Sequence, residues 1–320
     1  MLRPRATQSA DDFATAVRLG LDGARKSLPC RFLYDARGSD LFEQICELPE
    51  YYPTRAERSI LADRSDEIVA RAGTPLSLVE LGSGSAEKTR LLIEALIRRQ
   101  GDTVFAPIDV SRSALEQSAQ GLLEDHDELR IVAVEAEYAV GLRELDGATH
   151  SRRLILWLGS SIGNLDRDAA ARFLRELRGE MERGEKLLVG IDLRKESDRL
   201  ERAYDDARGV TARFNLNLLT RINRELGGDF DRGSFRHVAE YSEREGRVEI
   251  SLESRCSQVV RIEKLDREIE FGEGERIHTE DSFKYSFQEI DALAESSGLR
   301  SEARWLDDAG DFSLNLFDVA

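Results

Sequence analysis

From residue 76 the chain alternates short, almost uninterrupted apolar runs with stretches that carry apolar residues at helical spacing. Runs of this kind are strands buried on both faces, and neighbouring parallel strands need crossovers of helical length between them. The predicted strands are 76–81, 103–109, 130–134, 153–158 and 187–192, and the predicted helices are 86–99, 113–125 and 167–182. Five such alternations constrain the chain to an α/β fold with an open, doubly wound sheet.

After residue 192 the alternation stops. Residues 196–224 read as polar helices, and 248–262 and 269–279 as period-two strands of an inserted antiparallel module. Helical spacing returns at 287–299, and strands at 303–306 and 312–317 close the sheet. Upstream, a helix is predicted over 11–28, stopped by Pro29. Another begins near Thr54, where Thr54-Arg-Ala-Glu57 has capping-box spacing ahead of Ile60, Leu61, Ile68 and Val69. The intervening stretch, with Tyr34, Tyr51 and Tyr52, reads by itself as a surface loop with aromatic packing.

Charge narrows the partners. A formal net charge of −16 repels a phosphate backbone, which excludes nucleic acid and favours a small-molecule substrate. No apolar run approaches the roughly 20 residues that span a bilayer, and the start lacks a signal peptide's apolar segment. The expectation is a cytoplasmic protein without membrane contact, acting as a monomer. Cys30, Cys46 and Cys256 are odd in number and widely spaced, and read as ordinary buried thiols. His126, His150, His237 and His278 do not pair at ligand spacing, so no metal is expected.

The sharpest local signal is Leu78-Val-Glu80-Leu81-Gly82-Ser-Gly84-Ser-Ala-Glu87-Lys88-Thr89, a glycine turn between the first strand and its helix. A dinucleotide fingerprint needs a small residue, and a P-loop a glycine, where Glu87 stands. A carboxylate at that place repels phosphate. S-adenosylmethionine has no phosphate and carries a cationic sulfonium. Its ribose diol needs an acceptor after the second strand, which Asp109 supplies. Its adenine amine needs one after the third, which Glu137 supplies, with Tyr138 beside the ring.

With these residues in place, the chain resembles the histidine-specific methyltransferases of ergothioneine biosynthesis, nearly end to end. The likeness rests on Tyr34-Asp-Ala-Arg-Gly-Ser-Asp-Leu-Phe42, Leu48-Pro-Glu-Tyr51-Tyr-Pro-Thr-Arg55, Glu80-Leu-Gly-Ser-Gly84, Leu158-Gly159-Ser-Ser-Ile-Gly-Asn164, Arg202-Ala-Tyr204-Asp-Asp206, Phe214-Asn-Leu-Asn217 and Glu280-Asp-Ser282. It implies a Rossmann-like class I methyltransferase sheet over residues 60–195 and 284–320, and a smaller α+β substrate-binding domain over 1–59 and 196–283.

The resemblance also implies roles. Gly82, Gly84, Lys88, Asp109, Glu137 and Tyr138 would hold S-adenosyl-L-methionine, released as S-adenosyl-L-homocysteine. Asn164 and Tyr204 would grip the carboxylate of L-histidine, while Tyr51, Glu280 and Ser282 face its imidazole. Tyr34, Phe42 and the Gly159 backbone would surround the amine as it is methylated to hercynine. Glu137 stands where the family usually has Asp, and Ile250 where it has Met beside the ring. The alternatives are an N-methyltransferase for tryptophan or tyrosine, a nicotinamide-dependent oxidoreductase, disfavoured by Glu87, and a binding module without catalysis.

Overall fold

The computed structural model of the chain describes residues 10–145, 147, 149 and 152–319; the opening segment and His150 lie outside them. The chain divides into two compact units. One is built from Pro53–Arg194 and Tyr285–Ala320, the other from Gln8–Tyr52 and Lys195–Lys284. The first division falls at the start of the helix Tyr52–Ala72, whereas a boundary at 59/60 would cut that helix.

The first unit is an α/β layer structure around an eight-stranded sheet. Across it the strands run Leu299–Leu306, Phe312–Val319, Lys186–Asp192, Arg153–Trp157, Ser77–Leu81, Thr103–Asp109 and Leu129–Ile131, with Val134–Glu135 also paired to Thr103–Asp109. The inner strands are parallel and the two C-terminal ones antiparallel. Every residue of Ser77–Leu81 and Arg153–Trp157 is buried, which is why these segments read as apolar runs. Each Leu or Ile so buried stabilises the unit by roughly 1.5–3 kcal/mol before entropy is counted.

The chain proceeds from Ser77–Leu81 to one side and then returns to Arg153–Trp157 on the other. Sheets of this kind take ligands at the carboxyl ends of the two strands flanking such a reversal. Gly82 and Gly159 follow those two strands. The helix predicted from 86 begins only at Arg90, because the turn continues through Ala86, at φ +55°. The predicted strand 130–134 is two short pieces, and the helix 167–182 ends at Gly179.

The second unit has a four-stranded sheet in the order Lys26–Ser27, Arg276–Phe283, Arg247–Ser254, Phe235–Ser242, and a separate hairpin of Gln258–Ile262 with Arg267–Phe271. Its helices are Ala10–Asp22, Ala36–Cys46, Ser197–Tyr204 and Val210–Leu226. Several expectations are corrected here. The first helix ends at Asp22, and Lys26–Ser27 joins the sheet before Pro29 is reached. The stretch read as an aromatic loop holds a 3-10 turn, Cys30–Leu33, and the helix Ala36–Cys46, whose N-terminus is capped by Asp35 accepting from Gly38 N at 2.8 Å.

The strands predicted at 248–262 and 269–279 each break in two, since turns at 255–257 and 272–275 interrupt the period. Val210–Leu226 is no polar helix: Thr211, Asn215 and Asn217 are buried with Phe214, Leu218, Leu219 and Ile222. Its start is secured by Asp206, which accepts from Val210 N and Thr211 N at 3.0 and 2.7 Å. Burial opposes ionisation of Asp206, but these N–H groups outweigh it and hold the carboxyl below its usual range. The cysteines are not core thiols either; Cys256 is exposed and the other two half-buried.

Candidate active site

In the first unit the glycine turn is shaped by two close approaches. Gly82 has φ +72°, and a Cβ there would lie 2.6 Å from Tyr138 Oη, so only glycine lets the tyrosine hydroxyl reach the backbone. Gly84 has φ +50°, and a Cβ there would meet nothing within 4 Å; its N–H donates to Asp109 Oδ2 at 3.2 Å. Asp109 Oδ1 accepts from Ser111 N at 2.8 Å. Burial nevertheless pushes the Asp109 carboxyl above its ordinary range.

Two further acids stand behind this turn. Glu80 accepts from Thr89 Oγ1 at 2.7 Å, while its buried Oε2 has no hydrogen-bond partner. Burial, opposed by the Thr89 hydroxyl and the Lys88 ammonium and reinforced by Glu57 and Asp109, pushes the Glu80 carboxyl up to about 8. Glu57 is fully buried. It accepts from Gly159 N at 2.9 Å to each oxygen and pairs with the Lys88 ammonium. Gly190, in the Lys186–Asp192 strand, makes the room: a Cβ there would lie 1.9 Å from Glu57 Oε1. Gly159 itself has φ +74° and leads through left-handed Ser160 into the 3-10 turn Ser161–Asn164, which Asn164 closes.

Glu57 is the residue that sequence reasoning missed. Thr54-Arg-Ala-Glu57 is no capping box, because the helix already starts at Tyr52 and Glu57 points inward. The expected cofactor residue Lys88 is engaged by that carboxylate. Glu137 is exposed at the N-cap of Tyr138–Arg143 and makes no capping bond, while Glu135, two residues earlier, pairs in register with Asp109.

The second unit gathers a different set. Tyr34 and Phe42 pack edge to face with centroids 5.4 Å apart, Phe42 meets Tyr51 at 6.3 Å, and Tyr51 meets Tyr204 at 5.9 Å. Aromatic residues scattered through the sequence thus form one chain of edge contacts. Tyr204 Oη and Ser282 Oγ are 2.8 Å apart, and the fully buried Lys284 donates to both, at 2.7 and 2.8 Å. Glu280 is half-buried and lies opposite buried Ile250 on the neighbouring strand, beside a register shift. Desolvation raises the Glu280 carboxyl to about 7, with Lys284 pulling it down and Asp281 pushing it up.

The backbone of Tyr204 is anchored as well. His237 donates from Nε2 to the Tyr204 carbonyl at 2.8 Å, and its Nδ1 accepts from Asn215 Nδ2 at 3.0 Å. That pattern needs the neutral ring, and burial lowers the His237 pKa in keeping with it. Asn217 donates to Asp35 Oδ1 at 2.7 Å, tying the tyrosine-bearing turn to the helix Val210–Leu226.

The family described as histidine-specific methyltransferase, SAM-dependent, matches residues 13–319. This chain belongs to that family. The methyltransferase is 45% identical over 97% of its length to the histidine N-alpha-methyltransferase of Mycolicibacterium smegmatis, covering 96% of that protein. It is 46% identical over 94% of its length to the protein of the same name from Mycobacterium tuberculosis, covering 92% of it. An L-tryptophan methyltransferase of Psilocybe serbica is 31% identical over 90% of this chain and 87% of its own length.

The methyltransferase's first unit fits S-adenosylmethionine on its own chemistry. The open side of Gly84 leaves space against the turn, and Asp109 is an acceptor beside it. Acids dominate the surroundings, and Lys88 is already paired with one of them, which suits a sulfonium and repels a pyrophosphate. No helix among the methyltransferase's described residues is long and apolar enough to cross a membrane, and no group of three or more His, Cys, Asp or Glu among them could hold a metal ion.

Proposed function

We propose that this methyltransferase transfers three methyl groups to the α-amino group of L-histidine, giving hercynine as the first step of ergothioneine biosynthesis, as a cytoplasmic monomer. The observation that carries this reading is the Glu280–Ser282 pair, two residues apart on one strand, which sets an acceptor and a hydroxyl on the same face as polar partners for an imidazole. Glu280 keeps enough accessible surface to meet a ligand, while its neighbours Ser282, Ile250 and Tyr51 are buried. A ring without an N–H would leave such a desolvated carboxylate unsatisfied, which is how a polar site rejects an isosteric competitor.

The bound cofactor supplies an electrophilic methyl group on sulfur. What this chain's residues then contribute is positioning, because the amine must be neutral and its lone pair held in line. Gly82, Gly84, Lys88, Asp109, Glu137 and Tyr138 are assigned to the cofactor, and Asn164 and Tyr204 to the substrate carboxylate. The amine is assigned to Tyr34, Phe42 and the Gly159 backbone; each transfer leaves the nitrogen cationic, a proton passes to water before the next, and the aromatic faces favour the quaternary head that the third methyl leaves.

The test is incubation with S-adenosylmethionine and each free amino acid in turn, followed by product mass. The expected result is trimethylhistidine as the end product. Methylation of tryptophan or tyrosine in preference to histidine, or arrest at monomethylhistidine with cofactor in excess, overturns the reading.

A further inference from the structure

Lys284 is a fully buried ammonium to which the mechanism above assigns nothing. Its Nζ donates to Tyr204 Oη at 2.7 Å and to Ser282 Oγ at 2.8 Å, and it lies 4.6 Å from the centroid of the Tyr204 ring. Strand alternation places Glu280 and Ser282 on one face, and Lys284 follows in the same parity just past the end of Arg276–Phe283. Burying an ammonium is costly, and an apolar residue of similar volume would fill the space at less cost if packing were its only role.

We propose that Lys284 is a positioning residue for the substrate's carboxylate: its buried ammonium fixes the Tyr204 and Ser282 hydroxyls in one orientation and sets a positive charge behind them. The inference rests on the histidine reading. An ammonium has N–H groups and no acceptor, so each hydroxyl meets Lys284 with a lone pair. Tyr204 Oη and Ser282 Oγ also lie 2.8 Å apart, and with Ser282 donating to Tyr204 the Tyr204 proton is the one left for the carboxylate, while Ser282 keeps a lone pair for a ring N–H. A carboxylate that meets such a polarised hydroxyl gains a stronger, charge-assisted interaction. Lys284 has no accessible surface and acts through its neighbours. One of them, Tyr204, is assigned to the carboxylate and the other, Ser282, to the ring, so a single cation sets both ends of the substrate.

L-Histidinol separates these ends, since it keeps the imidazole and the amine and has an alcohol in place of the carboxylate. The experiment measures kcat and KM for histidine and histidinol with Lys284→Met and the unmutated protein. The expected result is a KM for histidine raised about thirtyfold with kcat changed far less, and a preference for histidine over histidinol reduced at least about tenfold. A structural role lowers both substrates alike, and an unchanged preference overturns the inference. If Lys284→Met does not fold, Glu280→Gln combined with Lys284→Met removes the uncompensated carboxylate and carries the same comparison. The unmutated protein gives an independent reading by nitrogen-15 resonance: the Lys284 ammonium signal shifts further with histidine than with histidinol, which keeps only the ring contact at Ser282, and equal responses overturn the inference. Failure of the unmutated protein to methylate histidine overturns the function reading itself. Methylation of histidine with unchanged preference in the variant overturns the Lys284 role alone.

Discussion

The carboxylate of Glu57 receives the backbone N–H of Gly159 at 2.9 Å to each of its oxygens. A helix thereby fixes the second residue after the strand Arg153–Trp157, at the carboxyl edge of the sheet. The same carboxylate holds the Lys88 ammonium, so one acid sets both the loop after Arg153–Trp157 and the start of the glycine turn's helix.

Replacing Glu57 with Ala leaves a buried N–H and an ammonium without their acceptor. Removing one partner of such a pair costs about 3–5 kcal/mol, and partial exposure of Lys88 puts this case near the low end. Urea unfolding should show a loss of about 3 kcal/mol, with Glu57→Gln retaining the Gly159 bond and losing less. Equal midpoints for Glu57→Ala and the unmutated protein contradict the arrangement.

Asp109→Ala removes the acceptor that the structure holds on Gly84 N and Ser111 N. A charge-assisted hydrogen bond contributes roughly 1.5–3 kcal/mol, so affinity for S-adenosylhomocysteine should fall at least about tenfold by calorimetry. Unchanged affinity removes Asp109 from the cofactor site.

At Gly82 two separable penalties meet. Alanine would have to adopt φ +72° and would also press on Tyr138 Oη at 2.6 Å. Left-handed backbone costs a non-glycine residue roughly 1–2 kcal/mol. Gly82→Ala should lower stability by at least that amount, and adding Tyr138→Phe should return the steric part and leave the backbone part. A thermal melt series on the three proteins checks this, and full recovery in the double variant would show that the backbone term is absent.

Glu280 carries a pH signature. Its carboxyl titrates near 7, above the usual range, because burial disfavours the charge. With a raised folded-state value, its stabilising contribution is complete below about 4.3 and is lost as pH rises through about 7. The Tm of Glu280→Gln should therefore gain on that of the unmutated protein between pH 5 and 8. Catalysis runs the other way: the ratio of kcat/KM for histidine in the unmutated protein to that in Glu280→Gln should climb through about pH 7 to roughly tenfold. Histidine's own titration cancels in that ratio. A flat ratio together with a flat Tm difference shows that Glu280 does not titrate there.

The sheet of the first unit was legible because strands covered on both faces have no polar alternation to obscure them. The places of the glycine turn and of Asp109 were legible for a related reason, since the apolar runs of two such strands end at Leu81 and Asp109. The second unit resisted reading where polar residues are buried in pairs. Phe235–Ser242 carries Arg236, His237 and Glu240 and shows no apolar rhythm, because its partners are side chains such as Glu253 and Asn215. Lys284 sits in a charged-looking stretch, and nothing local distinguishes an ammonium that two hydroxyls bury from one in solvent. Glu57 failed for a geometric reason: an i, i+3 pair of Thr and Glu has the spacing of a cap and equally that of two residues inside a helix.

The missing side chain at Gly190 makes two distant positions behave as one unit of sequence. No larger residue fits at 190 while a full-length acid stands at 57, since their atoms would overlap. A library that varies the middle of Lys186–Asp192 with Glu57 held fixed should return glycine alone at 190. Varying both together should recover combinations in which a short side chain at 57 admits alanine at 190, whose Cβ would then meet the Phe312 ring at 3.1 Å. Those survivors would keep the sheet and release the loop at Gly159, so selection for folding and selection for turnover should draw different sequences from the same pool.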